Sequence, residues 1–207
     1  MNRRQRNKQI KMKNKKLVKR YPFLITKNFE GKIPKNYDFT FTKYDYLPNG
    51  WRVGFGEFLL EDLRNACLKT NYLNKLQILE LKEKFGSMRM YINGAPQEIN
   101  DIIRKYEFIS EYICMFCGSP HAFNINNGGW YMPICEECWN KRNKMRRKGG
   151  YKEIPWKEMI DEKWEELPNE YRYTTFSKKE NTTTTVDISD TVEKIKNKYK
   201  KRRLKNE

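Results

Sequence analysis

The sequence predicts an α+β fold: a small helix–hairpin–helix body, a four-cysteine module after it, and basic, partly disordered termini. Three observations carry that reading. Apolar residues recur at helical spacing over about 57–70 and 97–112, and a candidate hairpin lies between them. Four cysteines then stand as Cys114-x-x-Cys117, seventeen residues, Cys135-x-x-Cys138. Of the 43 Lys and Arg residues, 25 fall in three short runs that hold only 2 of the 26 acidic residues.

The elements follow in chain order. Residues 1–20 hold ten bases and no acid, and read as a basic arm, disordered or nascent-helical. The body covers 21–112 and opens where Tyr21-Pro22-Phe23-Leu24 first cluster apolar side chains. Residues 28–50 read as irregular, with alternation across 37–41 favouring a short extended segment. Gly54 and Gly56 precede a helix on which Phe58, Leu59, Leu63, Ala66 and Cys67 fall at helical spacing. Segments 76–81 and 88–92 make the hairpin, with Gly86 in its connection. Ile99, Ile102, Ile103, Tyr106, Ile109 and Ile113 then define an amphipathic helix that delivers the chain to Cys114. Residues 113–150 hold the cysteine module and a basic run. In 151–180, Trp156, Met159, Ile160, Trp164 and Leu167 predict a short helix stopped by Pro168. Within 181–207, Asn181-Thr182-Thr183-Thr184-Thr185 reads as a linker, and Asp190-x-x-Glu193 as a capping box for a basic tail helix.

The cysteine spacing predicts one structural Zn²⁺ held by Cys114, Cys117, Cys135 and Cys138, because two thiolate pairs complete a tetrahedral shell. A redox dithiol or paired disulfides is the competing reading. Gly118 permits the positive φ a knuckle needs after Cys117. Asn124, Asn126, Asn127, Gly128 and Gly129 supply turn chemistry for a hairpin whose second strand is Trp130-Tyr131-Met132. A helix follows from Glu136, which sets the second cysteine pair in its first turn, where the helix dipole favours thiolate. Knuckle, hairpin and helix in that order describe a treble-clef finger. A closed four-thiolate shell leaves no position for an activated water.

With C-x2-C-G, seventeen residues between the pairs, C-x2-C, an aromatic strand and a basic stretch after the helix, residues 112–150 resemble GATA-type zinc fingers. That resemblance implies contact with DNA through the positions corresponding to the family's helix and basic segment: Lys141, Arg142, Lys144, Arg146, Arg147 and Lys148. Glu136 and Glu137 depart from the family pattern; they disfavour base-specific reading in a groove and leave phosphate contact in place. The body, through Tyr21-Pro22-Phe23-Leu24, Gly50-Trp51-Arg52-x-x-Phe55-Gly56 and Lys82-Glu83-Lys84-Phe85-Gly86-x-Met88-Arg89, also resembles uncharacterised bacteriophage proteins that carry a C-terminal four-cysteine motif. That likeness implies no activity.

The net charge of +17 is unevenly placed. Outside the three basic runs, 18 bases face 24 acids, so a mildly acidic body carries basic appendages suited to polyanions, usually nucleic acid, DNA or RNA. The sequence contains no long apolar run, and its N-terminal stretch pairs charge with no apolar segment, so a cytoplasmic protein without a membrane partner is expected. Reduced C-x-x-C pairs fit that compartment. Lys-, Asn- and Ile-rich usage fits an AT-rich bacterial or phage genome. Cys67 reads as a buried small hydrophobe, and His121, the only histidine, as structural or exposed.

No catalytic residue is assigned and no small-molecule substrate is evident. The single enzyme-like signal, Glu80-Leu81-Lys82, matches half of a Mg²⁺-nuclease pattern, with Glu57, Glu61 and Asp62 as candidate partner carboxylates that lie on a helix instead of a neighbouring strand. Nucleic-acid binding is thus the leading expectation. Next comes an adapter or inhibitor that engages a host protein complex, with Trp130, Tyr131 and Trp139, together with acidic Glu136 and Glu137, as its contact face. A Mg²⁺-dependent nuclease is third.

Overall fold

The computed structural model describes residues 2–28, 30–160, 167–176 and 181–205. These form helices and three two-stranded antiparallel sheets, a mixed α+β arrangement.

Helix α1 covers Arg3–Arg20 and starts at a reciprocal box in which Asn2 and Gln5 each satisfy the other's backbone N–H. It is a docked helix. Leu17 and Val18 pack on the core, buried Asn14 donates to the Phe39 carbonyl at 2.9 Å, and Lys11 pairs with Asp38 at 2.7 Å. The charge-dominated sequence hid this, because the docking rests on two apolar residues and on polar contacts to a distant loop. That loop departs from the expected extended segment: Phe39 takes φ 62, Asp38 accepts from the Thr40 N–H, and a 3₁₀ turn, Lys43–Tyr46, follows.

Gly54 and Gly56 precede α3 as expected, but they are themselves helical. Helix α2, Asn49–Trp51, runs through a π-helical segment, Arg52–Gly56, into α3, Glu57–Lys69, with right-handed backbone at both joints. Strands β1, Ile78–Lys84, and β2, Ser87–Ile92, then pair through a two-residue turn, Phe85 and Gly86, both at positive φ. Positive φ at both turn residues matches the right-handed twist of the strands. Helix α4, Gln97–Ser110, lies against β2, where the Ser110 hydroxyl accepts the Met88 N–H at 2.7 Å.

The main core gathers Trp51, Phe55, Leu59, Leu63, Tyr106 and Ile109 with the inner face of the first hairpin. Each fully buried aliphatic or phenyl side chain there stabilises by about 1.5–3 kcal/mol. A second, smaller cluster surrounds Trp139, with Ala122, Ile125, Met132 and Ile134 beside Cys114 and Cys135. Strands β3, Phe123–Asn127, and β4, Trp130–Ile134, and helix α5, Glu136–Lys148, carry most of it.

After α5, the described part of the expected helix holds one 3₁₀ turn, Trp156–Glu158; residues 161–166 of that segment, Trp164 among them, lie outside the described residues. The expected linker is a strand. Glu170–Phe176, β5, pairs in register with Asn181–Asp187, β6, and the alternating Tyr171 places a buried ring on Phe108 of α4. Threonine is β-branched and favours strands, a preference masked here by the low complexity of the run. Helix α6, Ser189–Arg203, closes the described chain and sends Val192 and Ile195 into the main core. Its start shows no Asp190 box: the Asp187 carboxylate accepts the Ser189 N–H, and Asp190 already lies within the helix.

Candidate metal centre

Cys114 and Cys117 sit on a knuckle closed by two backbone hydrogen bonds, Gly118 N–H to the Cys114 carbonyl and Cys114 N–H to the Ser119 carbonyl, both 2.8 Å. Gly118 takes φ 79, as the turn demands. The Met115 N–H bonds to the Pro133 carbonyl, tying the knuckle to β4 just before Cys135. Cys135 is the N-cap of α5, and Cys138 lies in its first turn. All four sulfurs lie within 4.8 Å of one another, with Cys117 and Cys135 at 3.6 Å. Four close thiols on this frame could hold a metal ion.

The four thiols are tied to one another electrostatically. Hydrogen bonds from Cys117 and Cys135 push the Cys114 thiol down to about 2. Bonding to that thiolate raises Cys117 to about 12 and drives Cys135 upward, while burial lifts Cys138 to about 12. Hydrogen bonds among the sulfurs and burial oppose their joint ionisation. A bound cation reverses that balance and lets all four ionise.

The support behind the knuckle is the feature that sequence reasoning missed. The Gly50 N–H donates to the Met115 carbonyl at 2.9 Å, and the Trp51 indole N–H donates to the Ile113 carbonyl at 2.8 Å. A Cβ at Gly50 would stand 2.2 Å from the Cys114 carbonyl oxygen, and one at Gly54 only 2.8 Å from an Ile113 methyl. Gly50 and Gly54 are four apart on one helix face, so the backbones meet where side chains would not fit. The signal was present in Gly50-Trp51-Arg52-Val53-Gly54, and required only that the glycines be placed within the helix.

The basic run is exposed on α5 and held by its other face. Trp139 and Asn143 both donate to the Ile154 carbonyl, at 2.9 and 2.6 Å. Lys141 pairs with Glu137 at 2.6 Å, Arg147 with Glu153 at 3.3 Å, and Arg146 donates to the Lys152 carbonyl. Arg142, Lys144 and Lys148 have no protein partner among the described residues. Helix α6 comes to the same place: Arg202 donates to the Cys117 carbonyl at 3.2 Å, and Tyr199 meets His121 edge-on. His121 is exposed and stands outside the cysteine cluster. Glu137 is held below the usual carboxylate range by Lys141 first, with Arg203 adding to the effect.

The carboxylates noted for catalysis are each engaged by a neighbouring side chain. Glu80 binds Lys82 at 2.7 Å on the exposed strand, Glu61 binds Arg20 and Tyr21, Asp62 binds Lys105 and Tyr106, and Glu57 binds Lys198. Cys67 is buried, and burial raises its thiol to about 11, so it is an unreactive core residue. No helix among the described residues is long and apolar enough to cross a membrane. Comparison with protein-family models, with curated proteins and with solved structures gives no match.

Proposed function

We propose that this protein binds nucleic acid, with a structural zinc in a treble-clef finger fixing α5 so that its basic run meets phosphates. Zinc fits the donor set. Four thiolates about 2.3 Å from the ion stand about 3.8 Å apart, close to the 3.6 Å between the Cys117 and Cys135 sulfurs. Held by Cys114, Cys117, Cys135 and Cys138, the ion would cross-link knuckle and helix and leave no site for water, so chemistry at the metal is not part of the proposal.

The observation that carries the reading is convergence: two basic helices, α5 and α6, meet at the cysteine knuckle of an otherwise mildly acidic body. Lys141, Arg142, Lys144, Arg146, Arg147 and Lys148 line the first, and Lys200, Lys201, Arg202 and Arg203 end the second. Phosphate binding by such surfaces releases counterions, so affinity falls linearly in log[salt], with a slope of about −0.7 to −0.9 per neutralised phosphate. The quadruple substitution of Arg142, Arg146, Arg147 and Lys148 by Ala should weaken binding and flatten that slope. An unchanged slope contradicts the proposal.

A second reading, a protein-contact face, keeps the exposed rings Trp130 and Tyr131 of the expected face but not Trp139, which is fully buried; Phe85 joins it instead, meeting Tyr131 edge-on across the two hairpin tips. It predicts capture of a protein partner that survives nuclease and high salt.

A further inference from the structure

Beside the cysteine cluster lies a cleft of about 210 Å³ formed by Phe116, Ile134, Cys138, Lys141, Arg142 and Met145. Its floor is apolar and its rim cationic. We infer that it receives one unpaired base of a single-stranded nucleic acid, with Arg142 and Lys141 taking the adjoining phosphates. The inference rests on the nucleic-acid reading above and deepens it from polyanion binding to a strand type.

Four features point to this occupant. Phe116 is 41% exposed although it stands between two cysteines of the knuckle, so its position is pinned before any ligand arrives. Met145 is 68% exposed on a helix that is otherwise almost wholly polar. Cys138, Lys141, Arg142 and Met145 follow one another at i, i+3, i+4, i+7, so α5 turns this one mixed face toward the ring. Arg142 has no protein partner among the described residues, and Arg stacks on planar rings as readily as it binds phosphate.

An aromatic ring beside an arginine suits the π-face common to all bases, and a strand's phosphates continue past it along Lys144 and Lys148. The cleft is smaller than the roughly 300–1,000 Å³ of drug-sized sites, which suits one ring system. A duplex offers no free base face; it would have to flip a base out and lose its stacking.

The test uses the full-length, metal-loaded protein and fluorescence anisotropy. Labelled single-stranded ribo- and deoxyribo-oligonucleotides of one mixed sequence are compared with the duplexes they form. Single strands should bind about tenfold or more tightly, and Phe116→Ala should lose about tenfold for single strands and little for duplex. Metal content checks each variant. If Phe116→Ala loses its metal, Phe116→Leu and the solvent-facing Met145→Ala carry the test, with a smaller loss in the same direction. Equal binding of single strand and duplex, insensitive to these variants, overturns the base pocket and leaves the nucleic-acid reading standing. Failure of the unsubstituted protein to bind either form at low salt overturns both.

Discussion

At Gly50, Gly54 and Gly118, the absence of a side chain lets backbone approach backbone, and the knuckle rests on that approach. A Cβ at Gly118 would stand 2.6 Å from the Gly50 carbonyl oxygen, and φ 79 there strains any other residue. Gly54→Ala is expected to destabilise by about 1–3 kcal/mol, since the contact is overpacked on backbone and a branched side chain. Thermal melting and the rate at which bound metal passes to a chelating dye measure it; a melting point and rate equal to those of the unsubstituted protein contradict the cradle. Phe85 poses the opposite case. It is 66% exposed at φ 54, a conformation that a non-glycine residue adopts at a cost of roughly 1–2 kcal/mol. Phe85→Asn should therefore raise stability toward urea by about 0.5–1 kcal/mol, asparagine being favoured in this turn. At this scale the sequence was most legible where chemistry fixes spacing, as in the four cysteines and Gly118. It was least legible where a contact joins distant segments, as between Gly50 and Cys114.

Helices with a broad apolar stripe were readable, and those docked by a few residues were not. Helices α3 and α4 follow their predicted spans to within two residues, because hydrophobic periodicity over three or more turns constrains the answer. Helix α1 commits only Leu17 and Val18 as apolar contacts and otherwise docks through polar residues, Lys11, Asn14 and Arg20, and β6 is a threonine run, so neither is distinguishable from a solvated tail by composition. The Asp38–Lys11 pair gives α1 a pH signature. Its hydrogen bond to Lys11, aided by Thr40, lowers the Asp38 carboxyl below its ordinary value. The pair's contribution is therefore complete above the unfolded carboxylate value of about 3.9 and disappears as pH falls through the lowered one. Asp38→Asn should speed amide hydrogen exchange in the middle of α1 at neutral pH and leave α4 unchanged; equal exchange in α1 contradicts the docking role. Within α5, Asn143→Ala removes both hydrogen bonds to Ile154 and should cost about 1–3 kcal/mol in the region around the cysteine cluster.

Across the whole molecule, the three basic runs seen as appendages are parts of the folded body. Two of them, α5 and α6, converge on the cysteine knuckle, so the charge that suggests a polyanion partner is presented on a frame the metal would hold. The apolar cluster around Trp139 is small and built between the cysteine pairs, whereas the main core is larger and separate. Metal removal should therefore act regionally. A chelator at neutral pH is expected to expose residues 114–148 to rapid hydrogen exchange while α3 and α4 stay protected, because binding energy of a structural metal is largely local folding energy. The direct measurement is elemental analysis of the full-length protein purified under reducing conditions, beside Cys117→Ser. One zinc per chain, lost or sharply reduced in the variant, is the predicted result. A reduced, folded protein with no bound metal contradicts the central claim.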